Sequence, residues 1–416
     1  MDENKRFVTG LDVGSENVRA VIATVSKSGE FSIVGYNEGK SAGMRKGIPA
    51  NLTGPAASID KMLGDAERMG GVDVRSAYVS VNGSTVMSTM TKGMIAVGAM
   101  EHEISGEDLD RVEDVAVSGS LASNRKVLDV VPLEYALDGQ GGIKDPLGMS
   151  GARLEMRACV VSALAPNVEN LKKATLTADV KAERLIPTTV AAARAVLTER
   201  QKENGVAVVD FGAATTGIAI YEEGDLQYTG VIPIGSNNIT NDLAIVLAIE
   251  PELAEEIKTR FITGDFETEK SVAIKIGAKN TERTFDRKEV EDVVKARLTE
   301  IFEEVRKKLK AAKYDQRLPE GIILVGAGAK MRDIEKFAKG VLEAAVKVGI
   351  PTGLNGVSEA VQKPEYAVAV GLALLAAEDN ATSASDTKKP ASPFKPGAKS
   401  SGAGKLGFLK KIFSKF

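Results

Sequence analysis

Phe7-Val-Thr-Gly-Leu-Asp12-Val-Gly14-Ser15, followed by the apolar run Val18–Val25, returns later in the chain as Val206-Ala-Val-Val-Asp210-Phe-Gly212-Ala-Ala-Thr215-Thr216, followed by Gly217–Ile220. Each copy reads as a β-run, an Asp-x-Gly turn, hydroxyl residues and a second β-run. Each second strand soon meets another turn, at Ser28-Gly29 and Glu223-Gly224. Two such hairpins imply two related lobes that each offer a carboxylate and backbone N–H groups to one cleft. Inward-turned N–H groups in glycine turns suit phosphate oxygens. Asp12, Gly14 and Ser15 are expected on one rim; Asp210, Gly212, Thr215 and Thr216 are expected on the other. Two carboxylates repel a polyphosphate unless Mg²⁺ lies between them. Mg²⁺ keeps several waters, so Asp12 and Asp210 are expected to reach it through water.

A third element follows the apolar strand Ile322–Val325, which reads as part of a buried sheet. Gly326-Ala-Gly328 is expected to close the cleft on its base side, letting a flat adenine or ribose lie near the backbone. Arg287–Lys310 has apolar residues three or four apart and reads as an amphipathic helix. Arg297 and Glu300 share one face of it. They either meet the ribose or base, or form an ordinary ion pair. Hydrolysis needs a polar group that orients water. The stretch Leu185–Val190 offers only the hydroxyls of Thr188 and Thr189, so no catalytic residue is nominated and slow turnover is expected.

Strands alternating with helices indicate an α/β protein, and 416 residues exceed one ordinary core. Residues 1–83 and 163–202 read as a first lobe, 84–162 as an inserted α+β subdomain, and 203–380 as a second lobe. Thr188–Gln201 reads as one long helix, and Pro364–Ala377 as a closing Ala-rich helix. The single cysteine, Cys159, lies in a β-run and reads as a buried structural thiol; the single histidine, His102, reads as a surface residue. The charged amino terminus is unlike a signal peptide and no run reaches transmembrane length, so a cytoplasmic protein is expected.

Residues 381–404 are rich in Ala, Ser, Thr, Pro and Gly and read as a flexible linker. Residues 381–416 hold eight lysines and one aspartate, a charge of +7, which leaves −10 on the rest of a chain whose net charge is −3. An acidic body with a basic tail argues against nucleic acid as a partner. In residues 405–416, at about 100° per residue, Leu406, Phe408, Leu409, Ile412, Phe413 and Phe416 share one face. Lys410, Lys411 and Lys415 lie opposite them. Such a helix is expected to lie in an anionic bilayer interface, which would induce it.

Several stretches together resemble the FtsA family of bacterial cell-division proteins, within the actin/Hsp70/sugar-kinase superfamily. Gly10–Ser15, Val208–Thr216 and Ile323–Gly328 resemble its two phosphate motifs and its adenosine motif. Tyr135–Gly151 resembles a loop of the family's inserted domain, Val231–Thr240 resembles a further family stretch, and the basic amphipathic carboxy terminus completes the likeness. The resemblance implies an actin-like two-lobed ATPase fold with the insert in the first lobe, and ATP with Mg²⁺ in the cleft. It also implies self-association into filaments, and tethering of the tubulin-like division protein FtsZ to the cytoplasmic face of the membrane at the division site. Later division proteins would meet the insert. The alternatives are a small-molecule kinase on the same superfold and a pilus-type assembly scaffold with a similar body. Two departures stand out. Ala213 and Ala214 replace glycines of the second phosphate motif, so a turn that needs positive φ there would have to differ. Ile186 stands beside Pro187 where relatives such as Hsp70 place a Glu, which also points to slow hydrolysis.

Overall fold

The structure, a computed structural model, describes residues 5–98, 101–119, 121–263, 271–276 and 281–385. β1 (Lys5–Val13), β2 (Asn17–Ser26) and β3 (Phe31–Lys40) form an antiparallel meander. The small hairpin β4 (Met44–Arg45) and β5 (Ile48–Pro49) follows. Helix α1 (Thr53–Gly70) then crosses to β6 (Ser76–Val81), which runs parallel to β1. After β7 (Met87–Ala96), α2 (Gly106–Ser118), β8 (Arg125–Leu137), β9 (Gln140–Ile143) and β10 (Arg153–Leu164), the first lobe resumes with α3 (Ala165–Thr177), β11 (Lys181–Pro187), α4 (Thr188–Val196) and α5 (Glu199–Asn204). The second lobe repeats the plan with β12 (Val206–Phe211), β13 (Thr216–Glu222), β14 (Asp225–Ile232), α6 (Asn237–Val246) and α7 (Pro251–Thr263). A hairpin of β15 (Ser271–Ile276) and β16 (Thr281–Asp286), then α8 (Arg287–Ala311), β17 (Ile322–Val325), α9 (Ile334–Leu342) and β18 (Val346–Val348) continue it. Finally β19 (Asn355–Gly356) leads into α10 (Ala367–Ser385).

The duplication foreseen from the two hairpins extends to whole sheets. One sheet runs β3-β2-β1-β6-β11 and the other β14-β13-β12-β17-β18. In each, a meander of two antiparallel hairpins is continued by two parallel strands brought in by crossover helices. The apolar stripe of α8 is buried from Val290 to Leu309, with Asp286 capping its first turn through Lys288 N and Glu289 N.

The insert packs α2 on a four-stranded sheet, β7-β10-β8-β9, around Leu109, Val112, Leu154 and Met156. The Ser105–Asp108 capping box starts α2, and His102 Nε2 adds a 3.0 Å bond to Asp108. The insert's sheet continues the second lobe's sheet through one residue pair, Gly230 with Met87. Thr229 N donates to Ser88 Oγ at 2.9 Å, and Lys144 reaches Asp225 at 2.8 Å.

Two expectations change. The helix read over Thr188–Gln201 breaks at Leu197, which is extended, and Thr198 with Gln201 forms a second capping box that starts α5. The chain also leaves the second lobe before residue 380. β19 pairs with β3, and α10 packs in the first lobe's core with α4 and β1. Glycine permits both contacts: a Cβ on Gly10 would stand 2.1 Å from Ala369 O, and one on Gly371 would stand 1.7 Å from Ala191 O. The helix reaches Ser385, past the expected start of the linker at 381.

Candidate functional site

The two Asp-x-Gly hairpins have one register. Asp12 pairs with Arg19 and Val13 with Val18; Asp210 pairs with Gly217 and Phe211 with Thr216. Both turns close with the same bond at 3.0 Å, Gly14 N to Asn17 O and Gly212 N to Thr215 O. A Cβ on Gly14 would lie 2.6 Å from Asn17 O, and one on Gly212 2.9 Å from Thr215 O, so glycine is set by the turn itself. The hairpins face each other across a cleft of about 320 Å³ lined by Asp12, Gly14, Ser15, Asp210, Gly212, Thr215, Gly326 and Gly328. Ala213 and Ala214 also line it, and neither has positive φ, so the alanines carry no strain there. Their loop is held from behind by Ser236 N to Gly212 O and Asn237 N to Ala213 O.

Both aspartates are buried. Burial pushes the Asp12 carboxyl above its ordinary range, opposed by the Arg19 charge and the Ser80 hydroxyl, which donates at 2.8 Å. Burial, then the charge of Asp12, push Asp210 up to about 7, opposed by Thr188 and Arg19. Two carboxylates that disfavour their own ionisation form a site that a divalent cation would relieve. Among the described residues no group of three or more His, Cys, Asp or Glu could hold a metal. A cation here would therefore complete its shell with water and phosphate oxygens, as Mg²⁺ does. Two buried atoms of the cleft lining, Arg19 Nε and Glu365 Oε2, have no hydrogen-bond partner, which marks a place for a polar ligand.

Two hydrogen bonds cross between the lobes beside the turns: Asn82 Nδ2 to Thr215 Oγ1 at 3.0 Å and Asn237 Nδ2 to Glu16 Oε2 at 3.0 Å. Sequence reasoning missed both pairs. It also missed Glu255, Lys258 and Thr259 on α7, and Lys330 with Glu365, all of which line the cleft. Lys258 is buried; its Nζ donates to Thr240 Oγ1 at 2.9 Å and pairs with Glu255 at 2.6 Å.

Arg297 and Glu300 are not among the lining residues. Arg297 forks Asp242 of α6 at 2.6 and 2.8 Å and bonds Glu300, so the ion-pair alternative describes them. Thr216 also stands off the cleft, buried in β13 with its hydroxyl on Ile234 O at 2.8 Å. Gly326 and Gly328 line the cleft, yet glycine there makes room for the protein itself. A Cβ on Gly326, whose φ is 85°, would lie 2.6 Å from Asp210 Oδ1, and one on Gly328 2.4 Å from the Phe211 ring. Burial pushes the Cys159 thiol up to about 12. Leu406, Phe408, Leu409, Lys410, Lys411, Ile412, Phe413, Lys415 and Phe416 lie outside the described residues.

A family model described as "Cell division protein FtsA" matches residues 207–371, and one described as "SHS2 domain inserted in FTSA" matches residues 83–162. The cell division protein FtsA of Pseudomonas aeruginosa is 32% identical over 376 residues, which cover 89% of each chain. That of Borreliella burgdorferi is 31% identical over 415 residues, 99% of this chain and all of the relative. That of Bacillus subtilis is 31% identical, covering 89% of this chain and 83% of the relative. Among solved structures, one of a PilM–PilN type IV pilus biogenesis complex overlays with a TM-score of 0.65 at 18% identity. It covers 89% of this chain and 98% of that one, and shares the fold.

Proposed function

The chain belongs to the FtsA family of cell division proteins, with a two-lobed actin-like fold and an inserted SHS2 domain, and from that membership we propose that it is a nucleotide-dependent membrane tether of the division apparatus. ATP with Mg²⁺ occupies the cleft. Subunits self-associate into filaments, which hold the tubulin-like division protein FtsZ at the cytoplasmic face of the membrane, at the division site. Residues 405–416 insert into anionic lipid, and the insert receives later division proteins. The observation that carries the nucleotide reading is the pair of register-matched turns that bring Asp12 and Asp210 into one cleft. A bound metal would supply charge neutralisation between phosphate and carboxylates; the chain's own residues hold the turns and set the Thr188 hydroxyl against Asp210.

Among the described residues no helix is long and apolar enough to cross a membrane. The amphipathic tail therefore carries the attachment reading. Each lysine near an anionic surface adds about 1 kcal/mol, so one tail attaches reversibly and a filament of many copies attaches firmly. The fold shared with the pilus complex rests on 18% identity and the family membership on 32%, which favours the division role over the pilus and kinase alternatives. Deleting residues 405–416, or changing both Ile412 and Phe413 to Asp, is expected to abolish co-sedimentation with anionic liposomes while the circular dichroism of the body stays unchanged. Full retention on the liposomes would end the tether reading.

A further inference from the structure

Asparagine followed by glycine occurs three times in the chain, at Asn82-Gly83, Asn204-Gly205 and Asn355-Gly356. Such a pair can lose ammonia when the glycine nitrogen attacks the asparagine carboxamide, since glycine has no Cβ to hinder the approach. The attack needs that nitrogen held beside the carboxamide of its own neighbour. At Asn204 it is tied elsewhere: Gly205 N caps α5 on Gln201 O at 3.2 Å, and Asn204 Nδ2 reaches Glu320 at 2.8 Å. At Asn355 the carboxamide leans to Glu30, Nδ2 to Oε1 at 3.4 Å. At Asn82 the two groups meet. Gly83 N donates to Asn82 Oδ1 at 2.7 Å, which seats the carbon bonded to that oxygen next to the nitrogen. The future leaving group, Asn82 Nδ2, donates across the lobes to Thr215 Oγ1 at 3.0 Å.

We propose that Asn82 is a self-modification site, converted to aspartate or isoaspartate through attack by Gly83 N, and that the conversion weakens the nucleotide cleft. Gly83 N gives its proton to solvent base and bonds Asn82 Cγ. The tetrahedral carbon leaves Nδ2 with a free lone pair, so the contact with Thr215 reverses and the hydroxyl donates. The Cγ–Nδ2 bond then breaks, ammonia departs, and solvent returns the Thr215 proton. Water opens the cyclic imide at either carbonyl, so one water is consumed and one ammonia released. Asn82 lines the cleft. Conversion removes the N–H that crosses to Thr215 and adds a carboxylate to a lining that already holds six against four cations. Both changes oppose a bound polyphosphate. That effect rests on the nucleotide reading above, whereas the chemistry at Asn82 does not.

The full chain, aged in mildly alkaline buffer, is digested and mapped by mass spectrometry for amide-to-acid conversion and isoaspartate. Conversion is expected several-fold faster at Asn82 than at Asn355 or Asn204, and faster as pH rises. In urea the preference for Asn82 should vanish, because only the fold separates the three sites. Conversion that starts at Asn355 or Asn204 in the folded protein overturns the proposal, and so does a preference that survives in urea. Calorimetry with ATP and Mg²⁺ reads the consequence. N82D is expected to bind roughly tenfold more weakly than wild type, the scale of one lost hydrogen bond and one added charge. Aged wild type replaces N82D if that variant shows no cooperative melting transition, with aged N82S, expected to match fresh N82S, as its control. Affinity within about twofold of fresh wild type in the converted protein overturns the effect on the cleft. Fresh wild type that binds no ATP refutes the nucleotide reading instead, and the peptide map still decides the site.

Discussion

Replacing Asp210 by asparagine (D210N) should stabilise the nucleotide-free protein and remove its metal-dependent binding. The Asp210 carboxyl is raised from 3.8 to about 7, by burial first and then by Asp12. Between those values the folded state holds a proton that the unfolded state has released. Stability therefore falls as pH rises through that window and is level above it. At 1.36 kcal/mol per pKa unit, the penalty is about 3 kcal/mol at about pH 6 and about 4 kcal/mol at about pH 8, as an upper bound. Asparagine keeps the shape, and its oxygen can still accept from Thr188, but it carries no charge. D210N should thus gain roughly 2 to 4 kcal/mol over wild type at about pH 8 and close to 1 kcal/mol less at about pH 6. Guanidinium denaturation of both proteins at the two pH values measures the gap, and calorimetry with ATP measures the loss of the Mg²⁺-dependent part of binding. A D210N protein no more stable than wild type at the higher pH, or a gap that ignores pH, would refute the reasoning that an uncompensated carboxylate waits there for a cation.

Arg297→Ala should leave ATP affinity within about twofold while costing about 1 to 2 kcal/mol through the lost fork between α8 and α6, read by titration and by denaturation. Gly371→Val should cost more than about 2 kcal/mol and lower the melting temperature, because its side chain meets the Ala191 backbone at the crossing of α10 and α4. Cys159, buried and with its thiol raised, should resist a thiol reagent at mildly alkaline pH in the native protein and react stoichiometrically once the protein is denatured.

The duplicated lobes were legible because the signal is local: a strand, a tight turn and a second strand occupy a few consecutive residues, and they occur twice. The rims at Asp12 and Asp210 followed from it. The cleft's far wall was not legible. Glu255, Lys258 and Thr259 read in sequence as an ordinary polar stretch of helix, and only the packing of α7 turns them inward. Arg297 and Glu300 bond Asp242 and each other rather than lining the cleft, and i,i+3 charge spacing looks the same on α7 and α8. Arg19, Glu38 and Lys40 fall at strand ends, where polar residues are common. The return of α10 to the first lobe depends on contacts hundreds of residues apart, and its local trace was small: Gly10 and Gly371, one on each partner. The break between α4 and α5 was readable, because Thr198 and Gln201 have capping-box spacing, but the helical run on both sides masked it.

The insert is tied to both halves of the molecule. Its chain enters from β6 and leaves into α3, both of the first lobe, while its sheet continues β14 of the second. A hinge motion about the cleft cannot leave it at rest against both lobes. Two covalent connections will not part, so the displacement falls on the Met87–Gly230 seam, the Ser88–Thr229 bonds and the Lys144–Asp225 pair. Opening or closing around a ligand is thereby expected to slide the insert along the second lobe's edge, at a seam whose Thr229 hydroxyl also meets Thr189 Oγ1 at 2.9 Å, one residue from the cleft-lining Thr188.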